Sequence, residues 1–417
     1  MEDVIISKEL KNKDFEDACK SRGIAYACQG DFNKAATDFI NAKADILKTL
    51  ELGEYGKKIV FKMLDEYDFF KDAIKTLSDT EMNEKKEQYK DIYISSLEII
   101  SLLQVKDLNE HEMPVSYYTK KNVSENLLFR DSYFRLNSIN TSNDPKEGKT
   151  LLNYLFDKLL SQEDKEIKFP PQIEEEFGAF AACFILNNDS LNQFRLYGKT
   201  DEKEGTGISI SLNEDFFSKR ISNCIKMEPE TRNKNEDDTK FLLPLFRCIY
   251  IDPKTEKVVS LGQKEECVFY REGKTKKEYE AYKGAIEYKQ SKISEELEKL
   301  KNNIKDLKLD QNVVYKLLLN LRYLVKHAAF KEEQECRIVK IKKHTDEIEK
   351  EPNEREIKPD ENNRLYVNYL KLNTENVAKI CYGPKVTDKD IEIFEQLFVH
   401  NGNKYHCKPY KSTAPLA

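Results

Sequence analysis

Apolar residues at Phe32, Ala35, Ala36, Phe39, Ile40, Ala42 and Ile46 are spaced three and four apart and predict a helix over residues 32–50. Upstream, Phe15–Gln29 is helix-compatible, with small residues at Ala18, Gly23, Ala25 and Ala27, and Gly30-Asp31 separates the two segments into a helical hairpin. A weaker second hairpin is predicted over Lys57–Ser78, and an amphipathic helix over Glu81–Leu103. From about Met113 the pattern changes. Strands are predicted at Pro114–Thr119, Ser132–Leu136, Phe177–Leu186, Thr206–Leu212, Phe246–Asp252 and Asn376–Tyr382. Helices are predicted at Glu125–Phe129, capped by Asn122 or Ser124, at Thr150–Leu160 and at Thr387–Phe398. Cys336–Ile341 alternates apolar and charged residues, the period of a half-buried strand. Glu332, Glu333 and Glu335 stand just before or at its start, and on an extended strand Glu333, Glu335 and Arg337 share one face.

Within this second region, Ile286, Ile293, Leu300 and Leu307 recur every seven residues, with Leu297 and Ile304 between them. That coiled-coil-like stripe predicts a helical hairpin inserted over about residues 274–326, with Ile286–Leu307 in one arm and Gln311–Lys326 in the other. Such a stripe either packs on its own domain or makes a homo-oligomer or target contact. Lys219–Lys240 and His344–Asn363 read as exposed loops. The expected fold is α+β: an α-helical domain over residues 1–110, then a mixed β-sheet domain over 113–417 carrying the insertion.

Charge and cysteine content narrow the function classes. The 75 acidic against 69 basic residues give a formal charge of −6, which argues against a polyanion-binding surface but leaves room for a local basic groove. Nine cysteines with no CxxC pair make a disulfide framework or a structural zinc site unlike this chain. His400, His406 and Cys407 form a near-cluster without carboxylates at ligand spacing, read as ordinary packing or surface rather than a metal site. The apolar runs are too short or too interrupted to cross a bilayer, and MEDVIISKEL lacks the basic and apolar regions of a signal peptide. The expectation is a cytoplasmic protein that does not engage membranes.

Gly23, Tyr26, Gly30, Phe32, Ala35, Phe39 and Ala42 stand at the spacing of a tetratricopeptide repeat, which the first hairpin resembles. Lone repeats cannot bury their faces, so residues 1–110 are expected to form a short array. It serves either as a protein-partner surface or as a structural cap or dimer contact.

Tyr117-Tyr-Thr119, Asn143-Asp-Pro-Lys-Glu-Gly148, Asp189–Gly198 followed by a strand at Gly207, and Phe330–Arg337 occur in the order of an uncharacterised, mostly bacterial family often joined to helical repeats. The resemblance covers about residues 115–385 outside the insertion, with Phe194 where the family usually has tryptophan. A more distant resemblance is to ADP-ribosyltransferases. There the opening strand carries an aromatic or His followed by x-Thr beneath the nicotinamide ribose of NAD, and a late strand bears Glu-x-Glu, matched here by Glu333-Gln-Glu335. This resemblance implies NAD as substrate, with Glu335 and Glu333 catalytic and Tyr117, Tyr118, Thr119, Arg195 and Tyr197 binding it. Arg195 would pair with the pyrophosphate, and Tyr197 or Tyr118 would stack on nicotinamide. It also implies a bacterial conflict role: toxin, phage defence or effector. Tyr117 replaces the usual His or Arg, and Gly207-Ile-Ser-Ile-Ser211 is only loosely similar to the family's Ser-Thr-Ser strand. On the residues alone, Glu335 is equally an ion-pair partner of Arg337, and Asn143 and Asp144 are turn formers. Two other functions stay open: a binding protein using the repeats and the insertion, and a nuclease, which would make nucleic acid the substrate rather than the acceptor of a modification.

Overall fold

The structure is a computed structural model that describes residues 17, 19–41, 46–50, 52–105, 112–141, 147–156, 176–199, 203–219, 242–252, 254–306, 309–344, 356–401 and 407–415. Two compact units divide the chain. Of the described residues, one unit holds those up to Leu102 together with Glu295–Leu321; the other holds Leu103–Lys219, Leu242–Ser294 and those from Arg322 on.

The first unit is helical. Residues 19–28 form a helix, Gly30 turns the chain at φ +83°, and Phe32–Asn41 returns. A Cβ on Gly23 would lie 2.7 Å from the Phe39 ring, so the small residue is what lets the two helices approach. Ile46–Leu50, Glu54–Met63, Asp68–Ile74 and the 25-residue Asp79–Leu103 follow. Ala42, the last of the repeat-spaced residues, lies outside the described residues. Distant sequence completes this unit: Gln311–Leu317 packs against Asp68–Ile74, and the Asp310 N–H donates to the Tyr89 hydroxyl at 2.8 Å. Asp310 caps its helix by accepting from the Asn312 and Val313 N–H groups.

The second unit is α+β, with a ten-stranded, mostly antiparallel sheet and a separate three-stranded one. The strands are β1 (Val115–Thr119), β2 (Tyr133–Ser138), β3 (Phe177–Ile185), β4 (Ile208–Leu212), β5 (Phe246–Arg247), β6 (Ile249–Asp252), β7 (Lys257–Leu261), β8 (Val325–His327), β9 (Glu335–Lys343), β10 (Ile357–Pro359), β11 (Leu365–Lys371), β12 (Val377–Tyr382) and β13 (Tyr410–Lys411). The order β10-β11-β2-β3-β1-β4-β12-β13 forms the main run, and β9 pairs with β3 and β5. The order β7-β6-β8 forms the smaller sheet. Phe134, Phe184, Phe216 and Phe217, with Leu136, Ile210 and Ile338, lie in the apolar core beneath the large sheet. Their rings meet edge-on or tilted at 5.2–6.4 Å, except Phe134 and Phe184, which stack at 5.7 Å.

Several expectations need correction. Phe246–Asp252 is not one strand: Cys248 breaks it, β5 joins the large sheet and β6 the small one. The helix expected from Glu125 begins at Lys121, without a side-chain cap at Lys120, and the Ser124 hydroxyl donates to the Lys121 carbonyl instead. His344–Asn363 is not all loop, since β10 lies within it. The insertion's first arm is the single helix Lys276–Asp306, whose stripe residues Ile286, Ile293, Leu297, Leu300 and Ile304 are all buried within the chain. The expected second arm is two short helices, Gln311–Leu317 and Leu319–Arg322, followed by β8. No helix among the described residues is long and apolar enough to cross a membrane.

Candidate active site

β3 and β9 build the site. They pair antiparallel over nine residues each, with Cys183 opposite Arg337 and Ile185 opposite Glu335. Side chains alternate across a strand, so Phe180, Phe184, Cys336 and Ile338 enter the core. Ala181, Cys183, Ile185, Glu335 and Arg337 line a cavity of about 360 Å³ on the other face. The charged half of the alternation is therefore not a solvated edge, and β9 is not half-buried: Glu335 and Arg337 are each 2% exposed.

Glu333 and Glu335 reach the cavity by a different route from the one expected of a single strand. Glu333 ends a 3-10 turn, Ala328–Glu333, and Gln334 lies in the left-handed region at φ 49° before β9 begins. The turn nevertheless aims both carboxylates at Lys326 Nζ on β8. Nζ donates to Glu335 Oε2 at 2.6 Å and also to Glu333 Oε2. Arg337 sits between two carboxylates. Its Nε and Nη2 meet Glu335, the latter at 3.1 Å, while Nη1 and Nη2 bind Glu147 at 2.5 and 3.1 Å. Nη1 also donates to the Tyr323 carbonyl at 2.9 Å. The Glu335 backbone is held as firmly. Its N–H donates to the Tyr250 hydroxyl at 2.8 Å, and its carbonyl accepts from the Cys248 N–H at 3.0 Å. A Cβ on Gly262, the residue that follows β7, would lie 2.4 Å from that carbonyl oxygen, and only a glycine there admits this approach.

These contacts push the two glutamates apart. Burial alone would lift the Glu335 carboxyl, but the Arg337 and Lys326 charges outweigh it and hold it well below the usual carboxylate range. Glu333 is raised: burial lifts it, Lys326 opposes, and the neighbouring Glu335 charge adds to the rise. The Lys326 ammonium stays protonated in spite of burial because Glu335 and Glu333 face it. The Cys183 thiol opens into the cavity and is pushed well up by burial and by the Glu335 charge.

The aromatic residues Tyr117, Tyr118, Tyr197 and Phe330 also line the cavity, together with polar residues that include Asn137, Ser138 and Gln193. Lys326 Nζ lies 5.2 Å from the Phe330 ring centroid. The Tyr118 hydroxyl donates to the Asn187 carbonyl and accepts from the Ser190 N–H, which ties β1 to the helix Leu191–Leu196. Tyr197, at the end of that helix, has its phenol raised by burial and by the Glu333 and Glu335 charges. Thr119 is buried, in contact with the Tyr117 hydroxyl, and is not part of the lining. Arg195 is also outside it: half-exposed, its Nε donates to Glu204 at 3.0 Å. The guanidinium at the cavity's edge is instead Arg364, paired with Asp360. Asn143 and Asp144 lie outside the described residues.

Sequence reasoning overlooked Lys326, Glu147 and Gln193. Lys326 sat at the end of an apparent helical arm, and Glu147 in a stretch read as a turn. Gln193 lay within the family-like stretch Asp189–Gly198 but was given no role of its own.

The fold and site define an α+β protein with a buried ionic network at the base of an aromatic-lined cavity. Residues 193–338 match the family described as Protein of unknown function (DUF2971), a span that runs from Gln193 past Arg337. No curated protein matches the chain, and no solved structure does.

Proposed function

We propose that the second unit is an NAD-consuming enzyme, an ADP-ribosyltransferase or NAD glycohydrolase. The observation that carries this is the pair Glu333 and Glu335. They share one cavity and one lysine, with their proton affinities shifted in opposite directions, a pattern expected of paired catalytic carboxylates. The cavity volume is in the range of small-molecule sites. In this reading the C1′–N bond to nicotinamide breaks, and nicotinamide leaves with the bonding electrons. Glu335, kept ionised, stabilises the oxocarbenium charge. Water or an acceptor hydroxyl then forms the new C1′–O bond and gives its proton to Glu333. Tyr197 and Phe330 would offer faces for the nicotinamide ring, and Arg364, which lines the cavity where Arg195 does not, would meet a phosphate. The resemblance of β1 and of Glu333-Gln-Glu335 to ADP-ribosyltransferases supports this reading. The first unit, in its repeat-like reading, would recruit the acceptor or sense a trigger, consistent with the conflict role the resemblance implies.

A second reading has its own observation. Every oxygen of Glu335 is paired, which suits a ligand-binding cavity held open by a structural ion network. NAD turnover by purified wild type beside Glu335→Gln, with and without lysate, separates them. The enzyme reading expects NAD loss or label transfer in the wild type only, with NAD binding retained in the variant. Absence of both turnover and binding in the wild type would overturn it.

A further inference from the structure

Gln193 is a polar group of this cavity that the Glu333–Lys326–Glu335–Arg337–Glu147 network leaves unused. It is 1% exposed, lines the cavity, and its Oε1 is buried without a hydrogen-bond partner. Its Nε2 donates to the Glu333 carbonyl at 3.5 Å, the outer limit of a hydrogen bond, so the amide is lightly held. The last torsion of a glutamine side chain is soft, and a small turn presents the carbonyl to a neighbour. Gln193 and Tyr197 are four residues apart and both line the cavity, so one short segment offers an amide beside an aromatic face. A buried carbonyl without a donor is a vacant position in the hydrogen-bond pattern, and an arriving N–H fills it.

We propose that Gln193 is the specificity-determining residue of this cavity, accepting a hydrogen bond from the N–H of a primary carboxamide carried on a planar ring. The ring lies against Tyr197 and Phe330, and the amide end enters between Gln193 and Glu333, where a ketone of the same shape finds no use for the acceptor. A site built to hydrogen-bond a ligand group rejects the analogue that lacks it, because its own polar group is then left unpaired. In the NAD reading this ligand group is the nicotinamide carboxamide. The proposal rests on that reading for its biological ligand, but not for its chemistry.

Neutral isosteres test it. Full-length protein would be titrated calorimetrically with nicotinamide and 3-acetylpyridine, and with benzamide and acetophenone. Within each pair the shape is kept and only the N–H₂ is replaced by methyl. The wild type is expected to favour each amide by about tenfold or more. Gln193→Met and Gln193→Leu, checked for folding by thermal melts, are expected to bring that preference close to one. Equal binding of amides and ketones by the wild type, no binding of either amide, or a preference kept by a folded variant would each overturn the proposal. If neither variant folds, the wild-type ratio decides. A preference for nicotinamide without one for benzamide assigns the ligand as a pyridine carboxamide. An amide preference that depends on Gln193 in a protein that never consumes NAD would sustain this inference while removing the NAD-consuming reading. NAD turnover without an amide preference would do the reverse.

Discussion

Glu335 is a buried side chain on which stability and, under the enzyme reading, turnover would both depend. Glu335→Gln keeps shape and removes charge, and under the enzyme reading turnover is expected to fall by about 10²-fold or more, as when a transition-state electrostatic contact is lost. Glu335→Ala goes further, leaving Lys326 and Arg337 buried without their shared partner. A loss of about 3–5 kcal/mol is expected in denaturant titrations. The pH dependence follows from the direction of each shift. The folded-state value of Glu335 lies below the unfolded one, so its contribution is present above about pH 4.3 and is lost as pH falls through the folded value. Wild type is expected to lose stability on acidification more steeply than Glu335→Gln. Glu333 is shifted the other way, and its contribution fades as pH rises through its folded value. The difference between wild type and Glu333→Gln is therefore expected to change with pH in the opposite sense. Lys326→Met removes the cation both carboxylates share, and any pH–activity limb that depends on them is expected to move to higher pH.

Among the elements, most of what lies in one contiguous stretch was legible. The hairpin around Gly30, the strands β1 to β4 and the closing helix all announce themselves by period and punctuation. What was hidden depends on partners far away in sequence. β8 is three residues long and pairs in parallel with β6, some seventy residues upstream, so nothing local distinguishes Val325-Lys-His327 from the tail of a helix. The burial of Arg337 was equally hidden, because an apolar–charged alternation has the same period whether its charged face meets water or Glu147. The alternation and the family resemblance singled out Glu333 and Glu335, and the structure adds Lys326 between them. The close approach of Gly262, just past β7, to the start of β9 gives an element-scale test. Gly262→Ala drives a methyl group against the Glu335 carbonyl and is expected to cost about 1–3 kcal/mol. It should also depress any turnover by displacing the strand's first residue.

At the scale of the whole molecule, the helical unit and the β-rich unit each draw on separated stretches of the chain. Removing residues 1–110 is an obvious way to ask what the helices contribute, but it would strip Val313, Val314 and Leu317 of the helix Asp68–Ile74 on which their segment packs. That truncation is expected to give a protein prone to aggregate, visible as early elution in size-exclusion chromatography. A deletion that also replaces 295–321 with a short linker is expected to behave better.

The late return of Glu295–Leu321 to the helical unit has a consequence for biosynthesis. The first hundred residues leave the ribosome well before the segment that completes their core, with some two hundred residues between Leu102 and Leu321 still to be made. At about 5–20 residues per second this is an interval of roughly 10–40 s. Throughout it the surfaces that later receive Val313 and Leu317 remain open to solvent, and a nascent chain in this state is a natural client for ribosome-associated chaperones.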